Sequence, residues 1–132
     1  MHRYLINQLG KFHTRPTPFV YIFDKAPPTH SFAPLLNSNW DVSSVASLAQ
    51  MFANCTSFNQ PLNDWNTFSA TTFFAMFYEA SAFNQDLNHW DTSSITDMAA
   101  MFYSASKFNG NVTTWDNSNV DMLYMAFTEA LM

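Results

Sequence analysis

Tryptophan returns every 25 residues in this chain, at Trp40, Trp65, Trp90 and Trp115, and a whole phrase travels with it. With each Trp counted as position 1, position 2 holds Asp41, Asn66, Asp91 and Asp116. Position 6 is Val45, Ala70, Ile95 and Val120, and position 9 is Leu48, Phe73, Met98 and Leu123. Met51, Met76, Met101 and then Ala126 follow at 12, and Phe52, Phe77, Phe102 and Phe127 at 13. Position 16 is Cys55, Ala80, Ala105 and Ala130. Phe58, Phe83 and Phe108 stand at 19, Asn59, Asn84 and Asn109 at 20, and Leu62, Leu87 and Val112 at 23. A fixed period of this length marks an array in which each unit packs on its neighbours. One unit buries too little apolar surface to offset the entropy of ordering it, so stability has to reside between units.

The period also divides the chain. Residues 1–30 do not repeat and read as an N-terminal leader or partial cap, with Phe19 to Phe23 of strand character among prolines. A solenoid repeat domain then spans 31–132: a degenerate start over 31–39, repeats at 40–64, 65–89 and 90–114, and a partial repeat at 115–132. Within a unit the apolar positions 6, 9, 12, 13 and 16 follow helical steps, the stripe of a short amphipathic helix. Ser94 with Asp97 has the spacing of a capping box, and Ser44, Ser69 and Asn119 occupy the same cap position. Positions 19 to 24 read as a short extended segment, followed by a turn through Trp-Asp-Thr-Ser-Ser. The expected fold is therefore α/β, a solenoid of about four 25-residue helix/extended-segment coils with Trp, Met, Phe and Leu columns inside.

Aromatic residues make up 17% of the chain and charged residues 11%, the reverse of a disordered solvating segment. A net charge of -5 gives no electrostatic footprint for a phosphate backbone, so nucleic acid is not an expected partner. Cys55 is the sole cysteine, so no internal disulfide forms. No stretch matches the apolar core of a signal peptide or the length of a membrane span.

Trp90-Asp91-Thr92-Ser93-Ser94-Ile95 with Met101-Phe102, and Ala82-Phe83-Asn84-Gln85-Asp86-Leu87, carry a resemblance. The pattern resembles the roughly 25-residue repeat of BspA-like bacterial surface proteins, also found in mycoplasma and listeria lipoproteins. The likeness runs over residues 40 to 132. It implies a leucine-rich-repeat-like solenoid displayed at the cell surface or secreted, with an adhesive or host-directed role and no known catalysis.

Candidate chemistry is weighed column by column. Asp41, Asp91 and Asp116, stacked on successive coils, would raise one another's pKa, which is one way to make a general acid. Asn66 in the same column favours the other reading, an Asx-turn, because Asn caps a turn but does not titrate. Asn59, Asn84 and Asn109 read as an amide ladder inside the coil. The structural columns are Trp40, Trp65, Trp90 and Trp115; Phe52, Phe77, Phe102 and Phe127; and Phe58, Phe83 and Phe108. The Met-Phe pairs read as core and not as a peptide groove, and Cys55 as a small buried filler in an alanine column. His2, His13, His30 and His89 have no metal-ligand spacing, so no metal, cofactor or catalytic residue is assigned. Asn54-Cys55-Thr56 and Asn111-Val112-Thr113 match the glycosylation pattern, relevant on a eukaryotic secretory route.

The expected function is a non-catalytic surface-interaction or adhesion module that uses a face of the repeat to bind a protein or a glycan. The alternatives are a truncated structural array or an intracellular protein-binding scaffold, and, further off, a solenoid glycan hydrolase. Leu123, Phe127, Leu131 and Met132 fall on the outer side of the last coil, which adds self-association through an uncapped C-terminal end to the expectations.

Overall fold

The structure, a computed structural model, describes residues 41–130. Trp40, the segment 1–30, the degenerate start 31–39, Leu131 and Met132 lie outside the described residues. Within them, successive 25-residue coils lie parallel, one on the next. Single-residue parallel bridges join Ser47 to Thr72, Thr72 to Asp97, and Asp97 to Met122, so one column of position-8 residues runs the length of the stack.

The α/β expectation is corrected here. Among the described residues there is no helix, and strand pairing is confined to those four bridging residues. Positions 9 to 16 instead form a ribbon of overlapping turns. In the second coil the N–H of Met76 donates to the carbonyl of Phe73 (3.0 Å), that of Tyr78 to Ala75 (3.1 Å) and that of Ala80 to Phe77 (3.0 Å). The residues between them donate out of the coil altogether. Phe73, Ala75, Phe77 and Glu79 give their N–H groups to the carbonyls of Asp97, Ala99, Met101 and Tyr103 on the third coil, at 2.9, 2.9, 2.8 and 2.7 Å. Odd positions thus bond forward to the next coil and even positions close a local turn. In the second coil every donor and every acceptor of the ribbon is used, which a buried backbone requires.

Backbone dihedrals show why no helix forms. Gln50, Ala75, Ala100 and Met125 at position 11, and Asn54, Glu79, Ser104 and Glu129 at position 15, have φ between 50° and 62°. Each is the third residue of a four-residue turn, where a type II turn needs a positive φ. Left-handed residues four apart interrupt a right-handed helix before it completes a turn. The apolar steps that resemble a helix stripe are served equally by the ribbon, which turns Leu48, Met51 and Phe52 inward to full burial.

The core is a set of aromatic columns. Phe52, Phe77, Phe102 and Phe127 stack at 5.4, 5.4 and 5.3 Å between ring centroids, and Phe58, Phe83 and Phe108 at 5.9 Å each. Trp65, Trp90 and Trp115 stack at 6.3 and 6.4 Å with rings within 10° of parallel. The two Phe columns touch within each of the first three coils, as at Phe77 and Phe83, 4.0 Å apart. Polar contacts fix the register between coils. The indole N–H of Trp90 donates to the carbonyl of Leu62 (2.8 Å) and that of Trp115 to Leu87 (2.9 Å). Those same carbonyls already accept the backbone N–H of Trp65 and Trp90, so both lone pairs are in use. Buried Thr67 and Thr92 donate their hydroxyls to the carbonyls of Asp91 and Asp116 on the following coil. Gly110 lies against the second coil so closely that a β-carbon would stand 2.1 Å from the Gln85 carbonyl oxygen.

Candidate functional site

The position-2 column sits at the surface, and its oxygens close turns. Asp41 Oδ1 accepts from the N–H of Ser43 (3.0 Å) and from its hydroxyl (2.6 Å). Asp91 Oδ1 does the same with Ser93 (2.9 and 2.6 Å), and Asp116 Oδ1 accepts the N–H of Ser118 (2.9 Å). Asn66 Oδ1 accepts the N–H of Phe68 at 3.1 Å, with its amide in the same role as the carboxylates. The Ser93 hydroxyl and N–H hold the Asp91 carboxyl below its ordinary pKa, against a weak opposing push from burial and from Asp116. The N–H and hydroxyl of Ser118 lower Asp116 in the same way. A general acid at neutral pH needs a shift in the other direction.

Asn59, Asn84 and Asn109 form a ladder on the outside of the coils. The N–H of Asn84 donates to Asn59 Oδ1 and that of Asn109 to Asn84 Oδ1, each at 2.8 Å. All three side chains are exposed, so the ladder is not inside the coil. The residues expected to cap helices have other partners. The Ser69 hydroxyl donates to the carbonyl of Ser43 and the Asn119 amide to that of Ser93, while Asp97 Oδ1 accepts the N–H of Ala99 two residues on. At position 5, the Ser69 and Asn119 side chains thus tie neighbouring coils together.

The remaining columns lie as follows. Trp65, Trp90, Met51, Met76 and Met101 are buried, as are Phe58, Phe83 and Phe108; Trp115 and Phe127 are half-buried on the fourth coil. Cys55 is half-buried, and desolvation pushes its thiol up to about 11, which leaves almost no thiolate at neutral pH. His89 is exposed, and among the described residues no group of three or more His, Cys, Asp or Glu side chains could hold a metal ion. Asn54 and Asn111 are exposed, and Asn111 Oδ1 accepts from both the N–H and the hydroxyl of Thr113.

Two features went unread in the sequence. One is the buried threonine clamp at position 3, which has a weak signal because Val42 and Asn117 occupy the slot in other coils. The other is a set of outward residues that change from coil to coil. Position 10 carries Ala49, Phe74, Ala99 and Tyr124, position 14 carries Ala53, Tyr78, Tyr103 and Thr128, and position 4 carries Ser43, Phe68, Ser93 and Ser118. Tyr78 and Tyr103 stack at 5.0 Å on the outside, Phe68 is 67% exposed and Phe74 39%.

Stacked coils with an internal aromatic core and variable outward side chains define a repeat protein. A family model described as "Mycoplasma protein of unknown function, DUF285" matches residues 18–132, and the chain belongs to that family. The description names neither BspA-like nor leucine-rich-repeat proteins. No curated protein and no solved structure matches the chain. Among the described residues, no helix is long and apolar enough to cross a membrane.

Proposed function

We propose that the protein is a non-catalytic interaction module, which binds a protein or glycan ligand with side chains on the flank of its coil stack. The observation that carries this reading is a division of labour within the repeat. Residues that recur in every coil hold neighbouring coils together, as the Trp, Phe and Asn columns do. Those that vary point outward and include aromatic side chains with no role in the core: Phe68, Phe74 and the Tyr78–Tyr103 pair. Exposed aromatics on a rigid frame bury large area with little loss of side-chain entropy, the chemistry of many recognition surfaces. The likeness of the phrase to BspA-like surface repeats supports an extracellular and adhesive setting.

The full chain, fluorescently labelled, is the probe for arrays of glycans and of extracellular-matrix proteins. Saturable binding to one ligand class, lost in Phe74→Ser with Tyr103→Ser but kept in Asp91→Asn, is the expected result. Activity on glycans that Asp91→Asn abolishes would overturn it in favour of a hydrolase.

A further inference from the structure

Positions 10 and 14 are the second residues of consecutive turns in the ribbon, and their side chains stand on its outer side. Backbone bonds from Asn54 to the Tyr78 carbonyl and from Glu79 to the Tyr103 carbonyl set Ala53, Tyr78 and Tyr103 one on the next at position 14. The two phenol rings lie 5.0 Å apart with 8° between their planes. That separation is close to the ~4.8 Å between neighbouring paired chains, so the ring planes lie across the stack axis. Ala53, on the first described coil, carries no ring, so no ring of the column covers the Tyr78 face on that side. Position 10 makes the same step from small to aromatic: Ala49 is followed by Phe74, which is 39% exposed. Both steps fall on the second coil, which has described coils on either side. Glu79 stands beside the Tyr78 ring. It is exposed, and its carboxylate accepts from the Tyr78 hydroxyl and holds that phenol above its ordinary pKa.

The coils are also strongly acidic. Of the chain's ten Asp and Glu residues all but Asp24 lie within 41–130, and of its five Lys and Arg residues only Lys107 does, so the described coils carry a net charge of -8. Resting on the reading of the protein as an interaction module, we infer that its ligand is an arginine-bearing basic segment of a partner protein. One guanidinium seats over Ala53 on the open face of Tyr78 and pairs with the Glu79 carboxylate. A guanidinium is planar and stacks on an aromatic face, so it takes the place that a ring at position 14 of the first coil would fill. The fork of N–H donors matches a carboxylate, which has acceptor capacity beyond the Tyr78 hydroxyl. Phe74 adds apolar cover for the methylene stem of a neighbouring basic side chain. The field of the acidic coils draws such a segment in and repels an acidic glycan, while a neutral glycan makes no use of it.

The test adds short fluorescein-labelled peptides of alternating Arg and Gly, Lys and Gly, or Glu and Gly to the full chain and follows anisotropy. Saturable binding of the Arg peptide is expected, tighter than that of the Lys peptide, with none for the Glu peptide. Ala53→Tyr extends the ring column across the slot and removes no charge, and a weakening of about tenfold is expected from it. Glu79→Gln is expected to weaken binding to a similar degree, whereas Asp64→Asn, an equal loss of charge outside the ribbon, changes it by less than about twofold. The comparison of Arg with Lys on the unchanged protein stands even if a variant does not fold. Absence of Arg-peptide binding up to about 1 mM overturns the inference. So does binding that is equal for Arg and Lys and indifferent to Ala53→Tyr, because general attraction to the acidic coils would then account for it. A glycan that binds while the basic peptides do not would also overturn it, and would leave the interaction module itself standing.

Discussion

At the scale of single residues, Trp90 makes two contacts that phenylalanine cannot make together. Its ring lies between Trp65 and Trp115 at 6.3 and 6.4 Å, and its N–H fills the second lone pair of the Leu62 carbonyl. Trp90→Phe keeps the apolar contact and removes the donor, so a loss of about 1–2 kcal/mol is expected in urea unfolding. Trp90→Ala also opens a cavity, and about 3–5 kcal/mol is expected. An unchanged stability in Trp90→Phe would mean that the indole hydrogen bond contributes nothing. The carboxylates make a different prediction. Folding lowers the pKa of Asp91 and Asp116 through hydrogen bonds from Ser93 and Ser118, so ionised Asp favours the fold. That stabilisation is full above the unfolded value, near pH 4, and is lost as pH falls through the lower folded values. The melting temperature should therefore drop between about pH 5 and pH 2, and the Asp91→Asn, Asp116→Asn double variant should drop less. Asn66 already shows that an amide oxygen closes the same turn.

The turn ribbon is where the element departs most from its expected form, and one substitution separates the two descriptions. Ala100 has φ 53°, a conformation that Ala reaches at a cost of roughly 1 kcal/mol and Gly reaches freely. Ala100→Gly should raise stability by about 0.5–1 kcal/mol in the ribbon, whereas in a helix it would lower it by about 1 kcal/mol. Chemical denaturation of the two proteins decides the sign. Spacing alone was silent on this point: Leu48, Met51, Phe52 and Cys55 fall at helical intervals, yet both a helix and a chain of turns put such residues on one side. The period and its columns were legible because packing between coils demands the same side chain at the same place. The turns were not, because the chain has 2 glycines and meets its positive-φ positions with Gln, Ala, Met, Asn, Ser and Glu. What signal existed was negative: neither position 11 nor position 15 of any described coil holds Val, Ile, Thr or Pro, the residues least able to adopt that backbone. At the candidate site, Asn66 among the Asp residues pointed to turn closure, and the side of the coil on which the Asn ladder runs had no signal in its sequence.

Across the whole molecule, cohesion is a nearest-neighbour property. Each coil is held by the ribbon bonds, ring stacks and threonine clamps it shares with the coils on either side, so an inner coil has two such sets and the fourth has one within the described residues. Arrays of this kind open from the least-supported end, and local opening free energies grade along the stack. Leu123, Met125, Phe127 and Glu129 have N–H groups without acceptors among the described residues, and Leu123 keeps half its side chain in water. Phe73, Ala75, Phe77 and Glu79 occupy the same positions two coils earlier and donate into the third coil. Native-state hydrogen exchange should therefore find the second set exchanging at least about a hundredfold more slowly than the first. Ala126, Thr128 and Ala130, which close turns within the fourth coil, should fall between them. Equal protection of Leu123 and Phe73 would mean that the coils open together as one unit, and the additive picture of their stability would fail.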